Sequence, residues 1–570
     1  MDDLSQVRAW TRSRFIADPA SLNPTTQIPV QRRTRPLAGR FDRVLQAFLG
    51  LAIIAGVIGA FVQLDRSSLW YDELFTAWVT TKDADPTHVL GRILTDLHPP
   101  LYYFSTYLWS LLFGTGDADL RAYSAVCAVT AVAVVFFGLK PWLSLQGRLV
   151  AVALATGSRE WFYMAQNARS YALCMLLGAA LLWLAAELLR DRGTRRWPLY
   201  ALFGVSVAGA FSHFFMTFEA VGLCLVLAVY LPRRRVALCG FAAALVVANE
   251  LYLTLVVDRF ARFSLTHTWM SNRPVAYAGN LLESLKLLGL REIVIIGLGA
   301  WGCIALWRLA MARFSRRAGA TPAARWLDHV RAADPVAVIC AAVPVLVFVF
   351  SVLSSQLIRP NFTPQNFLIC APFIWGLCGR LYDRAVARAG PRGTIAVKAV
   401  AGLFLVSAAF VVAGRFVERN EPWKESATGV RGFAACRGRA VPVVSEDGPY
   451  LRDARFPDLY RDFFYGRYLD GFAPVAAFEH TDIAAGRLAP DMRAMMAARL
   501  SGQGCPILAW DTHTDDAHYA ATLMQQIAAV AGPPGPGLHL AKIEYPFYGK
   551  AWTGQTTKNP AFILYVSRGG

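Results

Sequence analysis

Uninterrupted apolar runs of roughly 16–22 residues recur along the chain, separated by short connectors rich in arginine. Runs of that length match the hydrocarbon thickness of a bilayer. Stretches such as Leu51 to Leu64 and Val336 to Val352 are apolar nearly all round, so they lack the polar face that a soluble amphipathic helix needs. With 55% hydrophobic and 17% charged residues and a mean hydropathy of +0.38, most of the chain is expected to lie in lipid.

The formal charge of +18 does not point to nucleic acid, because the basic residues punctuate the apolar runs instead of gathering on one face or tail. No nucleic-acid partner is expected. The first run begins near Val44, after Arg8, Arg12, Arg14, Arg32, Arg33, Arg35, Arg40 and Arg43. That order predicts no cleavable signal peptide, a cytoplasmic N-terminus and a first helix that stays as an anchor. Eight of the ten cysteines fall in or beside apolar runs and read as packing residues. Cys436 and Cys505 lie in the polar C-terminal part, where an extracytoplasmic location would let them pair.

Charge bookkeeping sets the topology. A first helix at 44–64 delivers residues 65–97 to the outside. The next apolar stretch, Pro99 to Gly114, is short and opens with His98-Pro99-Pro100. If it crossed the membrane, the Arg190–Arg196, Arg233–Arg235 and Arg313–Arg331 connectors would all fall outside, against the positive-inside rule. It is therefore expected along the outer interface, where Tyr102, Tyr103, Tyr107 and Trp109 suit it. Helices at 119–139, 148–163, 168–189, 198–214, 215–231, 236–256, 283–308, 335–355, 366–383 and 396–415 follow.

The expected fold is thus mainly α, a polytopic transmembrane bundle of about eleven spans with an extracytoplasmic α/β domain at the C-terminus. Its segments are residues 1–43 (basic, cytoplasmic, without a packed core), 44–415 (the membrane domain, with an outer loop at 65–118) and 416–570. In the last segment, strand-like pieces at Val441–Val444, Pro506–Trp510 and Ala561–Val566 alternate with Pro/Gly turns.

The outer loop carries the chemistry. Asp72 and Glu73 are adjacent carboxylates among aromatics just beyond a membrane helix, an arrangement that repulsion and desolvation disfavour unless a cation, a donor or a catalytic task is near. A solvated turn is the plain alternative. Further along the same loop, Asp96 and His98 precede a Pro-Pro pair that fixes the backbone. Each alone is commonplace. The combination in one loop is informative.

At these residues the chain resembles the GT-C membrane glycosyltransferases, in the branch of protein O-mannosyltransferases, aminoarabinose transferases and Rgt-type lipopolysaccharide sugar transferases. The matching motifs are Asp72-Glu73, Asp96-x-His98-Pro99-Pro100-Leu101-Tyr102-Tyr103, Gly116-x-x-x-Leu120-Arg121-x-x-Ser124-Ala125 and Gln166-Asn167-Ala168-Arg169-Ser170-Tyr171-Ala172-Leu173. They cover the N-terminal third in order. The resemblance implies a GT-C-like fold and transfer of a sugar, hexosyl or pentosyl, from a polyprenyl-phosphate donor at the outer face of a bacterial-type inner membrane. The acceptor would be a hydroxyl of an envelope glycan such as lipopolysaccharide, of a lipid or of a protein.

In that chemistry a carboxylate takes the proton of the attacking hydroxyl, and cations or donors steady the departing phosphate. Asp72 is the candidate base, with Glu73, Asp96 and His98 orienting the acceptor or holding a divalent cation (Mg or Mn) on Asp72 and Glu73. Arg169 and Arg121 are candidates for the donor phosphate, with Tyr171 and Tyr163 beside them. Arg121 could equally cap a helix or pair with Asp117 or Asp119. His213 lies at the outer end of its span among aromatics, where it could touch substrate or simply pack. Two departures from the family pattern matter: Asn167 stands where relatives carry Glu, and Gln365 where an Arg is common, with Arg359 as a substitute. The loop around Asp511, His513, Asp515, Asp516 and His518 holds metal-ligand types at loose spacing and reads as solvated. A transporter or flippase, or a non-catalytic envelope scaffold, are the competing classes. The first should show repeat symmetry, which is not evident, and the second has no use for Asp72, Glu73, His98 and Arg169.

Overall fold

The computed structural model describes residues 36–82, 85–257, 273–290, 333–358, 360–399, 401–402, 422–445, 459–479, 485, 487, 490–502, 504–512, 517–533, 535–545 and 561–569. The chain divides into two units, residues 1–48 and 49–570. Helix α1 runs Pro36–Phe61, followed by α2 (Tyr71–Val79), α3 (Pro86–Ile93), α4 (Leu101–Phe113), α5 (Asp117–Gly138), α6 (Leu145–Thr156), α7 (Arg159–Ala165), α8 (Tyr171–Arg190), α9 (Trp197–Ala210), α10 (Phe214–Tyr230) and α11 (Arg235–Tyr252). Then come α12 (Pro274–Leu287), α13 (Pro335–Leu357), α14 (Pro364–Phe367) and α15 (Ala371–Arg388).

Among the described residues five helices are long and apolar enough to cross a membrane: Phe41–Phe61, Asp117–Gly138, Tyr171–Arg190, Pro232–Val257 and Pro335–Leu357. Helices α9 and α10 are apolar but only 14 and 17 residues long. Helix α4 has 13 residues, about 20 Å at 1.5 Å per residue, which is well short of a span. Its buried side is Tyr102, Tyr103, Thr106 and Ser110, while Phe104, Leu108, Leu112 and Phe113 are exposed, the pattern of a helix lying on an apolar surface.

Three expected boundaries are corrected. The 148–163 span is not one helix: Ser158 restarts the chain as an N-cap, its Oγ accepting from Trp161 N at 3.2 Å, so α6 and the short α7 are separate. The 366–383 helix begins with a 3₁₀ turn at Leu368–Cys370 between α14 and α15. The expected helix from 283 is instead the end of α12, which stops at Leu287 with Leu288 as its C-cap, and residues 291–308, like most of the 396–415 helix, lie outside the described residues.

Towards the C-terminus, α16 (Trp423–Arg431), α17 (Pro490–Leu500) and α18 (Ala517–Ala531) accompany a five-stranded sheet. Its strands are β1 (Ala440–Ser445), β2 (Ala473–Glu479), β3 (Ile507–Asp511), β4 (Leu538–Tyr545) and β5 (Ala561–Arg568), in the order β2-β1-β3-β5-β4. The first three are parallel, and β5 is antiparallel to both β3 and β4. Strand alternation, reset in β3 by an irregularity between Ile507 and Ala509, sends Ile507, Trp510 and Ile563 to one face and Leu508, Phe562 and Leu564 to the other. The second face is covered by Met496, Leu500, Leu523 and Ile527 of α17 and α18. The first face shares a continuous core with Leu69, Leu74, Trp78 and Tyr103 of the 65–118 loop, through Trp423, Phe464 and Tyr465. Cys436 and Cys505, whose pairing the sequence left open, form a disulfide.

Candidate active site

The site is assembled at the loop ends of α2, α4, α5, α8 and α10. Asp72 and Glu73 are in the first turn of α2, where negative charge suits the helix N-terminus. Successive helical residues point about 100° apart, so the two carboxylates diverge. Glu73 turns inward and is fully buried. It accepts from Trp70 N at 3.2 Å and from Ala168 N at 2.7 Å, and it meets Arg121 through two parallel bonds, Nε to Oε1 at 2.9 Å and Nη2 to Oε2 at 2.6 Å. The three remaining N–H groups of Arg121 go to the carbonyls of Leu64, Ser67 and Ser68, each at 2.8 Å.

A guanidinium has five N–H donors, and Arg121 has spent all of them on the chain itself. This corrects the phosphate-binding expectation for Arg121, which instead ties the turn before α2 to α5, with Glu73 as its counter-ion. Nor are Asp117 and Asp119 its partners. Asp117 is held at 2.9 Å by Arg467 Nη2, 3.1 Å by Lys424 Nζ and 2.9 Å by Tyr468 Oη, and Asp119 accepts from Gly116 N at 3.2 Å.

Asp72 turns the other way. Its side chain keeps 38% of its exposure and lies 3.9 Å from Nε of the buried Arg169. Arg169 Nη1 donates to Tyr103 Oη at 2.8 Å, and Tyr103 in turn donates to Asp96 Oδ2. His98 Nδ1 is 3.1 Å from the same Asp96 oxygen, and Arg169 Nη1 is 3.9 Å from it. Burial on its own would raise the Asp96 pKa, but the imidazole of His98, the guanidinium of Arg169 and the Tyr103 hydroxyl together hold it well below the usual carboxylate range. Asp96 is therefore an anion, and His98 Nδ1 sits between it and Arg169 Nη2, a donor 3.3 Å away.

The Pro-Pro pair positions this group. Leu101 N, the first free amide after it, donates to Phe211 O at 2.8 Å and brings the start of α4 to the α9–α10 turn. The His98 and His213 rings are consequently 5.2 Å apart, and Tyr171 is 5.8 Å from His213. Of the remaining residues, Asn167 is buried and receives Trp70 Nε1 at 3.5 Å, which places it behind the site against the turn before α2. Its neighbour Gln166 donates to Val62 O at 2.8 Å. Tyr163 is half-buried on α7. Gln365 is buried on α14, its Oε1 without a hydrogen-bond partner among the described residues. Arg359 and the stretch 513–516 lie outside the described residues.

The structure thus unites Asp72, Asp96, His98, Arg169, Tyr171 and His213, and sets Glu73, Arg121 and Asn167 behind them. Tyr103, which bridges Arg169 and Asp96, was legible only as part of a motif and an interfacial helix. The expected cation site fits poorly: Asp72 and Glu73 face different partners, and among the described residues no three His, Cys, Asp or Glu side chains are grouped to hold a metal ion.

Residues 97–253 match the model of the family described as dolichyl-phosphate-mannose-protein mannosyltransferase. The resemblance to GT-C membrane glycosyltransferases read from the motifs is borne out by that match. No curated protein matches the chain. Among solved structures the chain is similar to ArnT from Cupriavidus metallidurans in the apo state (TM-score 0.47, 15% identity, 91% of this chain and 98% of that one). The same protein bound to undecaprenyl phosphate gives a TM-score of 0.49 at 14% identity, with the same coverage. The archaeal oligosaccharyltransferase AglB from Archaeoglobus fulgidus, in complex with an inhibitory peptide and a dolichol-phosphate, gives 0.38 at 10% identity, covering 85% of this chain and 71% of that one.

Proposed function

We propose that the chain is a glycosyltransferase that moves a sugar from a polyprenyl-phosphate carrier to a hydroxyl acceptor at the outer face of the inner membrane. The observation that carries this reading is the half-open Asp72 beside the buried Arg169. One carboxylate reachable by substrate stands against one guanidinium locked in place by Tyr103 and the Asp72 carbonyl. The matched family, named for a polyprenyl-phosphate sugar donor, supports the donor class.

In the step proposed, Asp72 accepts the proton of the acceptor hydroxyl as its oxygen attacks the anomeric carbon. The bond from that carbon to the phosphate oxygen breaks, and the electron pair leaves with the lipid phosphate. Arg169, held in a dry wall, stabilises the charge that grows there. Direct displacement gives inversion. Glu73 and Arg121 act through position, by fixing the turn that aims Asp72. The class covers a hexosyl or pentosyl donor and a hydroxyl of lipopolysaccharide, another glycan, a lipid or a protein.

The outward orientation has its own support. Helix α8 starts beside the site at Tyr171 and ends at Arg190, about 30 Å away by helical rise, where the Arg190–Arg196 connector begins. The site and the basic connector therefore belong to opposite membrane faces, and basic connectors mark the cytoplasm. The Cys436–Cys505 disulfide suits an oxidising compartment on the other side, in accord with an extracytoplasmic 416–570 region and a cytoplasmic N-terminus.

The test is release of free lipid phosphate from a panel of polyprenyl-phosphate sugars by purified protein in lipid, with Asp72→Asn and Arg169→Ala as comparisons. Release by wild type that Asp72→Asn abolishes is the expected result. A wild type that releases nothing with any donor and acceptor extract refutes the assignment.

A further inference from the structure

We propose that His213 is a neutral hydrogen-bond donor that reads a substrate oxygen lying beside His98, a role that rests on the glycosyltransfer reading above. His213 is the N-cap of α10, and its Nδ1 accepts the backbone N–H of Phe215 at 3.2 Å. An acceptor nitrogen carries no proton. The proton of the neutral ring is therefore on Nε2, and the tautomer is dictated by the helix start. Side chains that cap helices are normally small and oxygen-bearing, so an imidazole in this position presents its second nitrogen to whatever lies beyond the turn.

That second nitrogen is an obligate donor. His213 is only 3% exposed, and Nε2 is buried with no hydrogen-bond partner among the described residues. A donor left in this state costs free energy, and native proteins rarely keep one without a ligand or water to satisfy it. The ring is flanked by His98 at 5.2 Å and Tyr171 at 5.8 Å, on the side of the site where His98 Nδ1 lies against Asp96 and Arg169. A group entering there must supply an oxygen acceptor. The phosphate oxygens of the donor lipid and the hydroxyls of the sugar or acceptor both have that chemistry.

His213→Asn isolates the role, because asparagine is a good N-cap and keeps an oxygen for Phe215 N–H while removing the imidazole donor. His213→Asp serves the same purpose should the first variant fold poorly. With a melting temperature equal to wild type, losing the hydrogen bond should weaken the affected constant roughly 10-fold. Three constants separate the sources: affinity for sugar-free polyprenyl phosphate, KM for the sugar donor and KM for the acceptor. A change in the first assigns a phosphate oxygen, and a change confined to either KM assigns a hydroxyl. All three unchanged would overturn the proposal. Nitrogen-15 spectra of histidine-labelled protein give a readout independent of turnover: the signal lost in His213→Asn should be that of an Nε2–H imidazole. An Nδ1–H ring overturns the inference even if wild type turns over sugar, and a wild type that neither binds nor transfers defeats the enzymatic reading while leaving the spectrum to decide this one.

Discussion

Asp72 and Glu73 are covalent neighbours with the same chemistry, and the structure assigns them opposite consequences. Glu73→Gln removes the charge that balances Arg121, which stays buried with three of its five bonds on backbone carbonyls. The amide also turns an N–H toward one of the guanidinium N–H groups that Glu73 now accepts from. Breaking one partner of a buried ion pair costs about 3–5 kcal/mol. That cost should appear as a fall of at least several degrees in the melting temperature. Asp72→Asn touches a side chain 38% exposed and 3.9 Å from its cation, so screening leaves a stability change of at most about 1 kcal/mol. Its loss should instead appear in turnover, by roughly 10²- to 10⁴-fold in kcat, the usual contribution of a general base. The assay is paired: intrinsic tryptophan fluorescence melts in detergent, and lipid-phosphate release at a temperature where both variants are folded. If Glu73→Gln melts with wild type and is inactive, while Asp72→Asn is destabilised and active, the roles are reversed and the reasoning from Arg121 is wrong.

Three further outcomes follow from the same geometry. Because Asp72 and Glu73 diverge, lipid-phosphate release should be the same in excess chelator as in added magnesium or manganese, and loss with recovery on adding either ion would show a cation bridge the side chains do not suggest. Asp96 is held below its ordinary pKa, so its stabilisation is present above the unfolded value of about 3.9 and is lost as pH falls through the folded one. The melting-temperature gap between wild type and Asp96→Asn should accordingly be flat from neutral pH to about pH 5 and narrow below about pH 4, and a gap that widens on acidification would contradict the sign. The disulfide closes a 69-residue separation, so Cys436→Ser with Cys505→Ser should cost roughly 4 kcal/mol in chain-entropy terms, read as a lower melting temperature, whereas an unchanged melt would show that the sheet holds without it.

What could be read from the sequence was local. The apolar runs, the Pro-Pro start of α4 and the strand pieces at Val441–Val444 and Ala561–Val566 all depend on a few consecutive residues, and each is present as an element. The restart at Ser158 was equally local, since a glycine followed by a serine before Arg159-Glu160 is a helix-start signal, and a continuous apolar run hid it. Partners distant in the chain were not legible. Arg121 has two acidic residues within four positions, yet its counter-ion is Glu73, 48 residues away. Asp117 is claimed by Arg467, 350 residues on.

These long-range pairs explain why one of two adjacent carboxylates can be spared for chemistry. The turn before α2 must be rigid if Asp72 is to meet a substrate oxygen within hydrogen-bond reach, and a short outer loop cannot fix itself. Arg121 ties the turn to α5 from below, using Glu73 as its anchor. Ser68 is tied from above, accepting Lys424 N at 2.9 Å and donating to Glu425 Oε2 at 3.1 Å, while Tyr468 Oη accepts Leu69 N at 3.0 Å. Arg467, Lys424 and Tyr468 then close on Asp117 at the start of the helix that carries Arg121. The C-terminal region thus completes the frame around the turn that carries Asp72. On the proposed function both carboxylates are needed, one to hold the turn and one to use it.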